Sequence, residues 1–135
     1  MSTDLQSEAN KIFMTDYSNG VLLIAPMGNL PSLNWVELET ASLSIFEMLN
    51  QHPDAKVLVD MTFLDFCGST LLGIIMRIWL KVSKQNGAMV VCLSNPQIAR
   101  LLKVTQLDKV WKICPTREAA HVALLDSRTN VPGSS

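Results

Sequence analysis

Stretches of β-forming residues alternate with segments of helical periodicity along this chain, and their order predicts a sheet backed by helices. Lys11 to Tyr17 reads as a strand on the β-formers Ile12, Phe13 and Tyr17. Ser18-Asn19-Gly20 follows, and Asn-Gly is the dipeptide that best tolerates the positive φ angles of a tight hairpin. Val21 to Ala25 is an unbroken apolar run, which predicts a strand buried on both faces. Gly28 to Ser32 reads as a loop, with Pro31 opposing helix. Asn34 and Glu37 form a capping-box pattern. The helix they open is expected to reach Gln51, with Leu38, Ala41, Ile45, Met48 and Leu49 on one face, and His52-Pro53 ends it.

Ala55 to Met61 predicts another buried strand, and Thr62 to Gly68 a short loop into a helix over Ser69 to Gln85. Asn86-Gly87 closes that helix in the manner of a left-handed C-cap. Ala88 to Leu93 is a strand, and Asn95-Pro96 opens a helix with a cap residue and a proline in its first turn. Val110 to Ile113 reads as a short last strand. Thr116 to Asp126 reads as a last helix, with Thr116 as cap and Glu118 where its charge suits the helix dipole. Residues 1–10 are expected to be a flexible start and 127–135 a disordered tail, leaving 11–126 as one domain. The order β-β-α-β-α-β-α-β-α implies an α/β fold: an N-terminal hairpin joined to mainly parallel strands in a mixed sheet, with about four helices packed on it.

Composition narrows the function classes. With 48% hydrophobic and 17% charged residues in 135, the chain is too apolar to be disordered. Its net charge of −1 comes with singly scattered Lys and Arg, so no basic stripe exists for nucleic acid. The polar start lacks the basic and apolar regions of a signal peptide. Leu71 to Leu80 is interrupted by Arg77 and too short to span a bilayer, so a cytoplasmic protein without membrane insertion is expected. Cys67, Cys92 and Cys114 match neither a disulfide framework nor a metal-ligand spacing and read as buried thiols. His52 and His121 lie in unrelated segments, away from any nucleophile. Asp60 and Asp65, near a strand end, read as solvated loop carboxylates rather than an acid–base pair. No glycine pattern cradles a phosphate, so neither cofactor nor catalysis is expected.

Two features ask for more. On the helix from Ser69, apolar side chains from Ile74 round to Leu80 cover an arc roughly twice the ~100° stripe that packing on a sheet requires. Either neighbouring helices cover the surplus or it is a docking face. At the start of the same helix, Ser69-Thr70 reads first as an N-cap, and second as a phosphorylation site whose phosphate would meet the positive end of the dipole.

The segment from Val57 to Leu124 resembles a STAS domain of the anti-anti-sigma factor type. The resemblance rests on VLVDMTFLDFCGSTLLGIIMRIWLKVSKQNGAMVVCL, then NPQIARLLKVTQLDKVWKI, then TREAAHVAL, and extends weakly upstream through Gly28-Asn29-Leu30. It implies a domain without cofactor that binds an anti-sigma factor with serine kinase activity and so releases a sigma factor for transcription. The kinase phosphorylates the serine at the loop-to-helix turn and abolishes binding; a serine phosphatase reverses it. Carried over by position, Ser69 is the phospho-acceptor with Thr70 as alternative. Partner contacts are then expected at Asp65, Cys67, Gly68, Ser69, Thr70, Leu71, Leu72 and Ile75. Gly68 stands where the family usually has Asp, and Leu71 where it usually has Gly. Two other roles suit the same fold: a non-phosphorylated docking subunit of a phospholipid ABC transporter, or a scaffold subunit of an oligomeric sensory complex. In the scaffold role the broad apolar face would serve self-association, for instance as a homodimer.

Overall fold

The computed structural model describes residues 12–27 and 35–125. Five strands lie side by side in chain order: β1 (Phe13–Ser18), β2 (Val21–Pro26), β3 (Lys56–Asp60), β4 (Met89–Cys92) and β5 (Lys112–Cys114). β1 and β2 are antiparallel, with Ser18 opposite Val21, and the remaining neighbours are parallel. The hairpin turn carries φ of 54° at Asn19 and 78° at Gly20. Two successive positive φ angles match the twist of the flanking strands, which explains Asn-Gly at this point.

Helices α1 (Trp35–Gln51), α2 (Ser69–Lys84), α3 (Pro96–Val104) and α4 (Arg117–Leu125) connect or follow the parallel strands. Asn34 and the loop Gly28 to Ser32 lie outside the described residues, as do the two ends of the chain. The other helix signals are local and legible. Asn95 Oδ1 accepts from the amides of Gln97 at 2.8 Å and Ile98 at 3.4 Å, and Thr116 Oγ1 accepts from Ala119 N at 3.1 Å. α2 ends in a Schellman motif: Asn86, with φ of 60°, donates to Ser83 O and Gly87 donates to Val82 O. The left-handed residue is therefore Asn86. Gly87 is needed for space, because a Cβ there would lie 2.9 Å from Val82 Cγ1 and 3.1 Å from the Ala55 carbonyl.

Helices α1, α2 and α3 share one core with the inward side of the sheet, through residues such as Ile45, Ile74, Ile78 and Leu102. The surplus apolar arc of α2 faces α1: Phe46 and Met48 of α1 and Leu72, Met76 and Trp79 of α2 are partly buried against the same core, and on α2 Leu80 stands out, at 45% exposed. Of the two readings of the broad apolar face, cover by a neighbouring helix accounts for most of it, with Leu72, Met76 and Trp79 left partly buried. On the opposite face, among the described residues, α4 packs over β3, β4 and β5, through Ala120 and Leu124. Val21 and Leu23 pack at the margin of this second cluster and are half-buried rather than enclosed on both sides as their run suggested. The last strand is also displaced from the expected Val110–Ile113. A 3₁₀ turn at Leu107–Lys109 follows Gln106 at φ 64°, and Trp111 is drawn into the core ahead of β5.

Candidate functional site

The parallel strands β3, β4 and β5 end on one edge of the sheet, and the loop from β3 to α2 crosses it. Asp60, the last residue of β3, is fully buried. Its Oδ1 accepts from Thr62 N at 2.9 Å and Thr62 Oγ1 at 2.6 Å, the local turn that an Asp favours two residues ahead of an amide. Its Oδ2 is ion-paired with Arg117 Nε in the first turn of α4. Asp60 is therefore no solvated loop carboxylate. Burial by itself would raise its pKa, but the Thr62 hydroxyl and amide and the Arg117 guanidinium outweigh burial and hold it below the ordinary 3.8.

Because that pKa is depressed in the folded state, the pair contributes its full stability above the unfolded value near pH 4 and loses it as pH falls through the folded value. The urea midpoint of the wild-type protein is expected to drop more steeply below about pH 4 than that of Asp60→Asn. Parallel acid limbs for the two proteins would show that the pair adds nothing to stability.

Beyond Asp60 the loop turns its aromatic residues outward. Phe63 and Phe66 are 51% and 55% exposed, and the Arg117 guanidinium lies 5.7 Å from the Phe63 ring centroid. Between them Leu64 is buried and pins the loop, with Leu64 N donating to Met61 O at 3.2 Å. A Cβ at Gly68 would lie 3.3 Å from Phe66 Cε2. Glycine at this position leaves room for the Phe66 ring against the turn, where an Asp would crowd it.

Ser69 is exposed but is not the cap of α2. Gly68 holds the N-cap position with extended backbone and, among the described residues, no side chain caps this end. Ser69 is the first helical residue and Thr70, half-buried, the second. Asp65 is exposed, and Gly68 and Leu72 are partly so. Cys67, Leu71 and Ile75 correct the expectation that they meet a partner: all three are core residues. Leu71 and Ile75 are four apart, on the helix side that faces inward. Burial pushes the Cys67 thiol up to about 12, so it stays protonated and unreactive. Cys92 and Cys114 are buried too, with Cys92 raised to about 11 by its burial and the nearby Asp60 carboxylate.

Phe63, Phe66 and Arg117 complete the site and were not singled out in the sequence. The Asp-x-Thr spacing at Asp60 was a readable sign of an ordered turn; nothing in the neighbouring residues points to Arg117. Among the described residues, no group of three or more His, Cys, Asp or Glu side chains could hold a metal ion, and no helix is long and apolar enough to cross a membrane.

The family profile of the STAS domain matches residues 19–120. The chain belongs to the STAS domain family. Its STAS fold is similar to that of a Thermotoga maritima protein provisionally named an anti-sigma factor antagonist, at 21% identity and a TM-score of 0.75, covering 88% of this chain and 99% of the other. It is also similar to an anti-sigma factor antagonist from Mycobacterium paratuberculosis, at 23% identity and a TM-score of 0.71, covering 84% and 93%. A STAS domain protein of Planctomyces limnophilus, named an anti-sigma-factor antagonist, matches at 24% identity and a TM-score of 0.72, covering 84% and 98%. The sheet of this STAS domain and the four helices among its described residues thus follow a shared architecture.

Proposed function

We propose that this STAS domain is an anti-sigma factor antagonist, acting in the cytoplasm without chemistry of its own. It docks on an anti-sigma factor with serine kinase activity through the β3–α2 loop and the start of α2. Phosphorylation of Ser69 by that partner ends the contact, and a serine phosphatase restores it. The observation that carries the reading is the exposed Ser69 hydroxyl at the first position of a helix that no described side chain caps, next to Gly68, against which the exposed Phe66 ring lies, at the end of a loop that also exposes Phe63. Aromatic side chains at the centre of a contact supply much of its energy. A phosphoryl group on Ser69 adds about two negative charges to that apolar surface. The free amides and positive end of α2 accommodate the charge, so the fold survives while docking does not. The names of the structural neighbours support the same role.

The test is to incubate the full chain with ATP and the anti-sigma factor kinase encoded beside it, then to place any phosphate by mass spectrometry. Phosphate on Ser69 and its loss in Ser69→Ala are expected. Phosphate on Thr70 alone would move the acceptor by one residue. Neither binding nor phosphate would replace this role with the transporter-docking or scaffold one.

A further inference from the structure

The residue that settles the docking loop lies far from it in sequence. Arg117 and Asp60 are 57 positions apart, and α4 packs on the face of the sheet opposite α2. Yet one buried carboxylate joins them. Its Oδ2 is taken by Arg117 Nε, while its Oδ1 holds both the amide and the hydroxyl of Thr62, next to Phe63. Arg117, with 37% of its side chain exposed, also places its guanidinium 5.7 Å from the Phe63 ring centroid, within the range of a cation–π contact. The loop is also held by buried Leu64, whose amide donates to Met61 O at 3.2 Å around Thr62 and Phe63 and whose carbonyl accepts from Asn95 Nδ2 at 3.5 Å. Within the loop, Thr62 bonds to Asp60 of the pair and Phe63 lies by its Arg117.

We propose that Arg117 is a positioning residue for the docking surface: from the back of the sheet it fixes the Asp60 carboxylate and the Phe63 ring, and so sets the aromatic surface of the loop that leads to Ser69. This rests on the docking role given to the loop above. Without Arg117, Oδ2 of Asp60 is left buried and unpaired. The carboxylate then turns toward water and releases Thr62, and Phe63 loses the cation beside it. Lysine preserves the charge but not the planar fork, so it restores the hold on Asp60 better than the contact with the ring.

Amide hydrogen exchange on the full chain tests the first half. In Arg117→Met, protection of the Thr62 amide is expected to fall about tenfold, with the β4 amides unchanged, and Arg117→Lys is expected to recover most of it. The double variant Asp60→Asn/Arg117→Met has no unpaired buried charge and keeps an Oδ1 acceptor for Thr62, so protection of Thr62 is expected to return toward the wild-type level in it, which separates the loss of the charge partner from simple unfolding. Unchanged Thr62 exchange in Arg117→Met, or a loss spread evenly through the sheet, would overturn the positioning role. Binding to the anti-sigma factor tests the second half through a double-mutant cycle between Arg117→Met and Phe63→Ala, with a coupling of about fivefold expected. Additive losses would mean that Arg117 does not act through the ring. A wild-type chain that binds no anti-sigma factor would remove the docking role instead, and the Thr62 result would still decide whether Arg117 orders the loop.

Discussion

Ser69→Glu is expected to weaken binding to the anti-sigma factor about a hundredfold, while Ser69→Ala binds within about threefold of the wild type. The serine is exposed and caps nothing, so alanine removes only a small solvated hydroxyl. Glutamate puts a charge next to Gly68 and the exposed Phe66 ring, where docking would strip it of water. An unpaired charge in a desolvated contact costs about 2–5 kcal/mol, and each ~1.4 kcal/mol is a factor of ten. Stability should not follow affinity. A carboxylate in the first turn of α2 sits at the favourable end of the dipole, so Ser69→Glu is expected to melt at or slightly above the wild-type temperature. Calorimetric titration with the purified partner and a thermal melt of each variant make the check. Equal affinity for Ser69→Glu and Ser69→Ala would remove charge at this position as the switch, and a loss of affinity matched by a loss of fold would make the effect structural.

A large loss of stability is expected inside α2, for Ile78→Ala. Its side chain is 1% exposed and lies in the core formed with α1 and the sheet. Truncation of a buried isoleucine removes its transfer free energy and leaves a cavity that close-packed neighbours fill only in part, at about 2–5 kcal/mol. For a domain of this size that lowers the melting temperature by roughly 10 °C or more. Two residues further along, Leu80→Ala is expected to change stability by less than about 1 kcal/mol, because Leu80 is 45% exposed. Chemical denaturation of both variants separates them. A comparable loss for the two would mean that the outer side of α2 is enclosed after all, by a second chain or another partner.

The contrast between Ile78 and Leu80 shows where a sequence stops being informative. Both belong to one wide apolar arc, and the periodicity that places them on a helix is the same. Which of them is interior depends on α1, which lies against α2 and enters the same core; the pair Arg77–Glu39 joins the two helices at their rim. The surplus width was visible along the chain, but its cover came from a segment more than twenty residues upstream.

Other parts were legible because the causes are local. Asn19-Gly20 adopts the two positive φ angles a tight hairpin requires, and Asn95 and Thr116 satisfy amides two or three residues ahead of them. The Asn86-Gly87 C-cap holds for the same reason, with left-handed backbone at one residue and a close approach to Ala55 at the next. The likeness of the Ser69-Thr70 turn to the STAS pattern needed no more than its order of residues. What stayed hidden were the consequences of distance. Ser69 loses the capping role to Gly68 by a shift of one residue, and Leu71 and Ile75 turn inward because the sheet lies on that side.

By itself, then, the sequence determined the succession of strands and helices, the turns that join them and the family to which they belong. Periodicity, caps and turn residues act within a few positions of chain. The tertiary structure alone decided which apolar residues face water, and it alone made Asp60 a buried partner of Arg117 beneath an exposed Phe63. Burial and pairing of charge depend on what the chain brings back from the far end of the fold, and no short-range pattern in the residues records that.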